Sequence, residues 1–532
     1  MTKRRPGDGP LFPSSEARTI LKTLRVVILK PSKYGLNGRV ERFHRGFMPN
    51  GTLPYLGSMT PHNFDCCAIE THLIDEYVQT DLEYQRLLEK AGTPTLLALA
   101  GVQSHQFHRS LDLAAYALDH GVEHCVIGGP HPMTCDTSML QNRGVSFALS
   151  EAETIWTTIL RDALHGELRP VYGERQRWQK KLHGPVLVPP SSEYLRCYIV
   201  PMMAIYPARG CPFTCNFCSV IKIAGREIRS QDIGVTLASL RAAKAAGVKM
   251  IMFTSDNFNK YPEAGLLLEA MIEEKIGLPF FVQCDTQIAR QEQLVELLSK
   301  AGCFQIFVGV ESFNRKILLA AHKAQNHPQL YGDIVRLCRR YGISTHFSNI
   351  IGFPEDTESG IREHVDTLID LAPDLASFYI LTPIPGTQQY DEFLADGRIY
   401  EKNLDRFDAT CPTWRHDSLA PEQLTDLLFE CYRRFYSLSH LVRRGLRNWK
   451  SEVRGTTLVD FVQGAVAHAF SRFAAHRKMH PMSGGIGRVR LDGVHDYQRL
   501  RRKRFGFDLV PLPNSLQLAR EDILLNNPAK VS

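Results

Sequence analysis

What this chain lacks narrows what it does. No run of about 18 consecutive apolar residues occurs in its 532 residues, so no segment reads as a membrane span. Met1-Thr2-Lys3-Arg4-Arg5-Pro6 is basic but is followed by no apolar stretch before Leu21, which is not the layout of a signal peptide. The thirteen cysteines are odd in number and irregular in spacing, which argues against a disulfide framework. No second C-x2-C pair and no C…H-x3-H partner accompanies their one tight group. Neither charge dominates: 63 Lys and Arg face 56 Asp and Glu, and the net +7 matters less than where it sits. A hydrophobic content of 44% suffices for real cores, and the length allows about three domains.

The chemistry is concentrated in Ala208-Arg209-Gly210-Cys211-Pro212-Phe213-Thr214-Cys215-Asn216-Phe217-Cys218. The C-x3-C-x2-C spacing offers three thiolates, Cys211, Cys215 and Cys218. A [4Fe–4S] cluster held by four thiolates usually transfers electrons only, whereas one held by three keeps an iron open to bind a small molecule. Zinc wants a fourth ligand, which is not evident nearby, and chance spacing is the other alternative. The segment sits between an apolar strand, Ile199 to Ile205, and a basic loop. With Phe217 just before the last cysteine, the pattern resembles the cluster motif of radical S-adenosylmethionine (SAM) enzymes. That resemblance implies that SAM chelates the fourth iron, and that an external donor such as flavodoxin or ferredoxin delivers electrons. An exposed cluster would not survive an oxidising compartment, so a cytoplasmic location is expected.

Residues 1–20 read as a loose N-terminus. From residue 21 to 160 apolar strands alternate with helical periods: Leu24–Pro31, Thr95–Ala100 and His124–Gly129 as strands, Leu111–Leu118 as helix. This order predicts a doubly wound parallel sheet, whose ligands sit beyond the strand carboxyl ends. There lie Gln103-Ser104-His105 and Gly128-Gly129-Pro130-His131-Pro132. The arrangement resembles the cobalamin-binding domain of one branch of radical SAM enzymes. The resemblance places Ser104 beside the lower corrin face and Gly128 and Gly129 along the nucleotide tail. A D-x-H-x-x-G motif that would offer histidine to cobalt is missing; Glu70-Thr71-His72-Leu73-Ile74-Asp75 has neither its Asp nor its Gly. A degenerate domain that binds no cofactor is the alternative.

Residues 161–196, rich in Arg, Lys and Pro, read as a linker. A second series over 197–395, with strands at Lys249–Phe253, Phe280–Gln283, Gln305–Val310, His346–Ile351 and Ser377–Thr382, fits the partial (β/α)6 barrel the resemblance implies. Matched by position, Ser255, Asp256 and Asn257 fall where the SAM amino group is received, and Gln283, Asp285, Glu311 and Ser312 where polar groups reach its ribose and carboxylate. The stretch Ile350-Ile351-Gly352-Phe353-Pro354, after the fifth strand, resembles the backbone edge that holds adenine. Asp256, Asp285 and Ser312 read equally as N-caps. Residues 396–532 are expected to be mainly helical, as in the branch related to anaerobic bacteriochlorophyll cyclase and hopanoid methylases, and to lie against the barrel. Their basic stretches, Arg443–Lys450 and Arg499–Arg504, read as a solvated face, a contact for an anionic substrate, or a peripheral contact with a membrane or nucleic acid.

The resulting expectation is a cobalamin-dependent radical SAM enzyme that C-methylates an unactivated carbon of a small or lipid-like metabolite. Oxidative cyclisation or rearrangement with the same cofactors is the alternative. A nucleic-acid-modifying enzyme would need an RNA-binding module, and none is evident. A binding protein with a merely structural cluster is the last alternative.

Overall fold

The computed structural model describes residues 22–89, 92–175, 178–440, 442, 458–481, 484–491 and 496–516. The N-terminal stretch 1–20 and the basic run Arg443–Lys450 lie outside the described residues. In the first sheet, Thr23–Lys30 (β1) is an apolar run buried on both faces and stops where Pro31 offers no amide hydrogen. Phe43–Gly46 (β2) leaves this sheet, which continues with Asn63–Phe64 (β3), Cys67–Asp75 (β4), Thr95–Leu99 (β5), His124–Gly128 (β6), Ser146–Ala148 (β7) and Val171–Tyr172 (β8). The order is β3-β4-β1-β5-β6-β7-β8, parallel throughout except for the β3–β4 hairpin. Thr52–Met59 (α1), Phe107–Asp119 (α2) and Ala152–His165 (α3) cover its faces. Helix α3 runs to a left-handed Gly166, and β8 pairs beyond it, so the sheet draws on residues the sequence reads as linker.

The second sheet starts at Met202–Ile205 (β9), three residues later than expected, because Ile199 is 40% exposed and Pro201 intervenes. After the short antiparallel pair Ala208–Arg209 (β10) and Arg229–Ser230 (β11) come Met250–Phe253 (β12), Phe280–Cys284 (β13), Cys303–Glu311 (β14), Ser344–Ile351 (β15) and Leu375–Ile380 (β16). Six parallel strands in the order β16-β15-β14-β13-β12-β9 make an open (β/α)6 barrel.

The C-terminal region divides its packing. After Glu358–Leu371 (α4), Pro421–Phe435 (α5) lies on α4 and β16, with Tyr432 and Tyr436 hydroxyls bonded to the β16 backbone. Leu458–His476 (α6) packs on α5. Gly485–Arg488 (β17) instead pairs antiparallel with β2, and Tyr497–Phe505 (α7) lies across α2. The expectation that this region lies against the barrel therefore holds for its first half only. The physical reason is α2, whose outward face carries His108, Arg109 and Asp112, each at most 1% exposed. Such groups are tolerated inside only when partnered. His108 faces Asp405 at 3.0 Å and accepts from the Val510 amide; Arg109 pairs with Glu76; Asp112 meets Arg501 of α7 at 3.4 Å. In the second basic stretch, Arg502 and Lys503 pair with Asp508 and Asp119. Among the described residues no helix is long and apolar enough to cross a membrane.

Candidate active site

The loop from 210 to 228 is pinched off by β10 and β11. Gly210 has φ +109, and a Cβ there would lie 2.2 Å from the Glu227 carbonyl oxygen, so only glycine fits. Its amide donates to Asp256 Oδ2 at 2.7 Å. The Cys211 amide donates to Gly225 O, the Cys218 amide to Cys215 O, and Arg226 donates twice to Pro212 O. The loop is thus shaped by its own backbone. Burial pushes the Cys211 thiol up to about 11 and Cys218 up to about 12, and the neighbouring thiols add to the effect. The three sulfurs therefore sit within electrostatic reach of one another. Among the described residues no three His, Cys, Asp or Glu side chains converge at single-ion spacing. Three thiols on one short loop are a donor set whose chemistry suits an iron–sulfur cluster.

Phe217 packs edge-on against Phe353 at 6.3 Å, and its other neighbour is a cation the sequence reading passed over: Lys323 Nζ lies 5.7 Å from the Phe217 ring centre. Lys323 is only 9% exposed and pairs with Glu311 at 2.7 Å. Burial opposes its charge, but Glu311 and the Cys215 and Cys218 thiols outweigh this and raise its pKa. Gln325 Nε2 approaches Cys215 Sγ at 3.5 Å. The sequence signal for Lys323 was a lone charge amid the small residues Ala320, Ala321 and Ala324. Glu311 itself holds φ +62 at a register shift in β14, a left-handed conformation costly for a non-glycine.

The remaining positions fall into two groups. Ser255, 3% exposed, has a buried Oγ with no hydrogen-bond partner, which is the behaviour of a group that meets a ligand. Asp256 clamps Gly210, and burial raises its pKa. Gln283 is half-buried on β13. Others are spent internally. Asn257 donates to Asp285 Oδ2 at 2.8 Å and accepts from the Asp285 amide; Asp285 also caps the turn at Thr286–Arg290 by accepting from the Gln287 amide. Ser312 Oγ accepts from the Asn314 amide. The Gly352 and Phe353 amides both donate to Asp356 Oδ2, and Gly352, at φ +79, leaves its Cβ position to Leu424 of α5.

On the opposite side, Gly129 has φ +134 and a would-be Cβ 2.2 Å from the Val102 amide nitrogen. Ser104 is buried and meets His131 Nδ1 at 3.0 Å, beneath Phe107. Burial pushes His131 down to about 3, so it is neutral there. His72 lies half-exposed on β4, bonded to Glu70, and lines no part of the cavity described next.

That cavity, of about 340 Å³, is walled by Gly101, Gly128 and Gly129 from the first sheet and by Tyr206, Arg209 and Asp256 from the barrel. Its inner wall is apolar, with Ala98, Val126, Ala148 and Trp156. Ser104 is not among its lining residues. Arg209, two residues before Cys211, seals the seam between the sheets. It pairs with Glu151 at 3.1 Å and Glu153 at 2.9 Å at the start of α3, and stacks over Tyr55 and Tyr206. Arg229 binds Glu151 through two nitrogens. Burial would raise the Glu151 pKa, yet Arg229 and Arg209 hold it below the usual range.

Residues 205–368 match the model of the radical SAM superfamily. The chain is similar to the bacteriochlorophyllide d C-12(1)-methyltransferase of Chlorobaculum tepidum, at 26% identity over 332 residues, covering 60% of this chain and 70% of that protein. It is similar to the C-8(2)-methyltransferase of the same organism at 23% over 450 residues, covering 82% and 96%. In fold it is similar to OxsB, a cobalamin-dependent S-adenosylmethionine radical enzyme solved with aqua-cobalamin and S-adenosylmethionine bound. The TM-score is 0.58 at 14% identity, over 92% of this chain and 79% of that one.

Proposed function

We propose that this radical SAM enzyme is a cobalamin-dependent C-methyltransferase acting on a small or lipid-like metabolite. One observation carries the reading: Ile223 and Ala224 of the cysteine loop, with Arg209 beside it, and the Gly128-Gly129 turn border a single cavity, and transfer between two centres requires near-contact geometry. When bound, the [4Fe–4S] cluster with SAM supplies a 5′-deoxyadenosyl radical, and methylcobalamin supplies the methyl group.

The chain's own residues hold, orient and shield. Cys211, Cys215 and Cys218 hold the cluster in a loop that Asp256 and Arg226 keep in shape. Ser255 Oγ offers its unspent hydrogen bond to SAM, and Glu311 is steadied by Lys323. Lys323 offsets part of the negative charge that three thiolates bring into a buried site. Asn257, Asp285 and Ser312 act one layer back by fixing strand ends. Gly129 keeps the turn close against Val102, so that the floor of the cavity stays open. The Arg209–Glu151–Glu153 network ties the barrel side of the cavity to the first-sheet side. An external donor such as flavodoxin or ferredoxin would provide the electron.

The test is anaerobic reconstitution with SAM, hydroxocobalamin and a reductant, read for 5′-deoxyadenosine, S-adenosylhomocysteine and methylated product found by comparing metabolites of cells with and without the gene. Replacing the three cysteines by Ala should abolish cluster absorbance and SAM cleavage; a triple variant that keeps about four irons per chain would sink the assignment. Ala148→Phe, which fills the apolar wall, should stop corrinoid retention and methylation while 5′-deoxyadenosine persists. If product forms at the normal rate with no corrinoid bound, oxidative chemistry replaces methyl transfer.

A further inference from the structure

A second cavity, of about 440 Å³, shares no lining residue with the one between the sheets. Three distant parts of the chain enclose it: the loop after β1, residues 403–406 beyond the barrel, and residues 488–491 with 496–501. Its lining is dominated by guanidinium groups. Arg39, Arg42, Arg406, Arg488, Arg490 and Arg501 outnumber the carboxylates Glu41, Asp112, Asp405 and Asp496. Three of those carboxylates are engaged, Asp405 with His108, Asp496 capping α7 through the Arg499 amide, and Glu41 with Lys33 and Arg488, while Asp112 accepts from the Tyr34 hydroxyl through Oδ2.

The floor is formed by Arg42, Arg501 and Asp112, at 3%, 4% and 1% exposure. Arg42 donates to Glu76 at 2.9 Å and Tyr84 at 2.8 Å, but Glu76 also serves Arg109 at 2.5 Å, so one carboxylate answers two cations. Among the described residues Arg501 reaches Asp112 Oδ2 alone, at 3.4 Å. Burial pushes Asp112 up to about 7, so near neutral pH it neutralises Arg501 incompletely. Arg42 Nη1, Arg501 Nε and Asp112 Oδ1 are all without a hydrogen-bond partner. Buried donors left unmade are costly, and here two cationic ones gather under a cleft of metabolite size.

We propose that this cavity binds the oxyanionic group, carboxylate or phosphate, of a small ligand. Arg42 and Arg501 form the floor, and the exposed Arg39 and Arg490 guard the mouth. Planar guanidinium forks match both anions in two-point geometry, and the excess of cations draws the ligand in. Because the site is built from both the first sheet and the C-terminal segment, binding raises stability by mass action.

Thermal unfolding of the full chain at constant ionic strength tests this, with sodium chloride replaced stepwise by inorganic phosphate, pyrophosphate or succinate. A saturable rise in Tm with at least one of them is expected. A response to phosphate or pyrophosphate alone assigns a phosphorylated ligand, and one to succinate alone a carboxylate. In R501Q/D112N, which removes both members of the floor pair, the apparent affinity should fall roughly tenfold or more. If that variant does not fold, R39E/R490E at the exposed mouth decides, with the same fall expected. The proposal is overturned if no oxyanion shifts Tm saturably, or if the shift is the same in whichever variant folds.

Discussion

Single residues set what the site tolerates. Gly129 is expected to be irreplaceable for backbone reasons, since a Cβ would strike the Val102 amide at 2.2 Å in a left-handed conformation. Gly129→Ala should lower stability by about 3 kcal/mol and abolish corrinoid retention together. Gly128→Ala, which meets only the Ala148 methyl at 3.2 Å, should lose much less in the same melting and binding assays. Lys323 gives an electrostatic test. Lys323→Met should lower the cluster midpoint potential by on the order of tens of millivolts, and Lys323→Arg should restore it, as read by potentiometric EPR. An unchanged potential in Lys323→Met would remove Lys323 from its assigned role. Which polar residues cluster at strand ends was legible from order alone; which are spent internally was not. Asn257 and Asp285 look as available in sequence as Ser255 does, and only their mutual bonds separate them.

At the scale of elements, α5 and the turn after β15 are one unit, because Gly352 yields its Cβ position to Leu424 at 2.8 Å. Leu424→Ala should cost about 2–4 kcal/mol as a buried cavity. Combined with Gly352→Ala it should cost less than the two single changes added, since the truncated side chain makes room for the new methyl. Urea titrations of the four proteins measure the coupling, and strict additivity would contradict the contact. The apolar runs of β1, β5, β6 and β12 to β16 were readable to within three residues because buried parallel strands are apolar on both faces. Strand β4 escaped notice because Cys67, Thr71 and His72 leave it half-exposed, and its Glu70-Thr71-His72 core invited a question about cobalt instead. The pairing of β2 with β17 carries no local signal at all, since its two strands lie more than four hundred residues apart.

For the molecule as a whole, acid sensitivity follows from buried neutral imidazoles. Burial pushes His105 and His131 down to about 3 and His346, His364 and His480 down to about 4. The unfolded chain binds protons at these groups near the ordinary value of 6.5 while the folded chain does not. Stability is therefore fully present above about 6.5 and is lost as pH falls toward 4, at about 1.4 kcal/mol per pK unit for each group. His131→Gln should flatten part of that slope in urea titrations between pH 4 and 7, and an unchanged slope would refute its share. The closure of α2 by α7 also has a meaning in time. The first sheet is complete in sequence by Tyr172, yet the partners of two buried groups on α2 come much later: Asp405 and the Val510 amide for His108, and Arg501 for Asp112. At roughly 10 residues per second a ribosome needs about half a minute to reach Arg501. Throughout that interval the nascent sheet carries an unfinished, charge-bearing surface, so the domain made first is finished last.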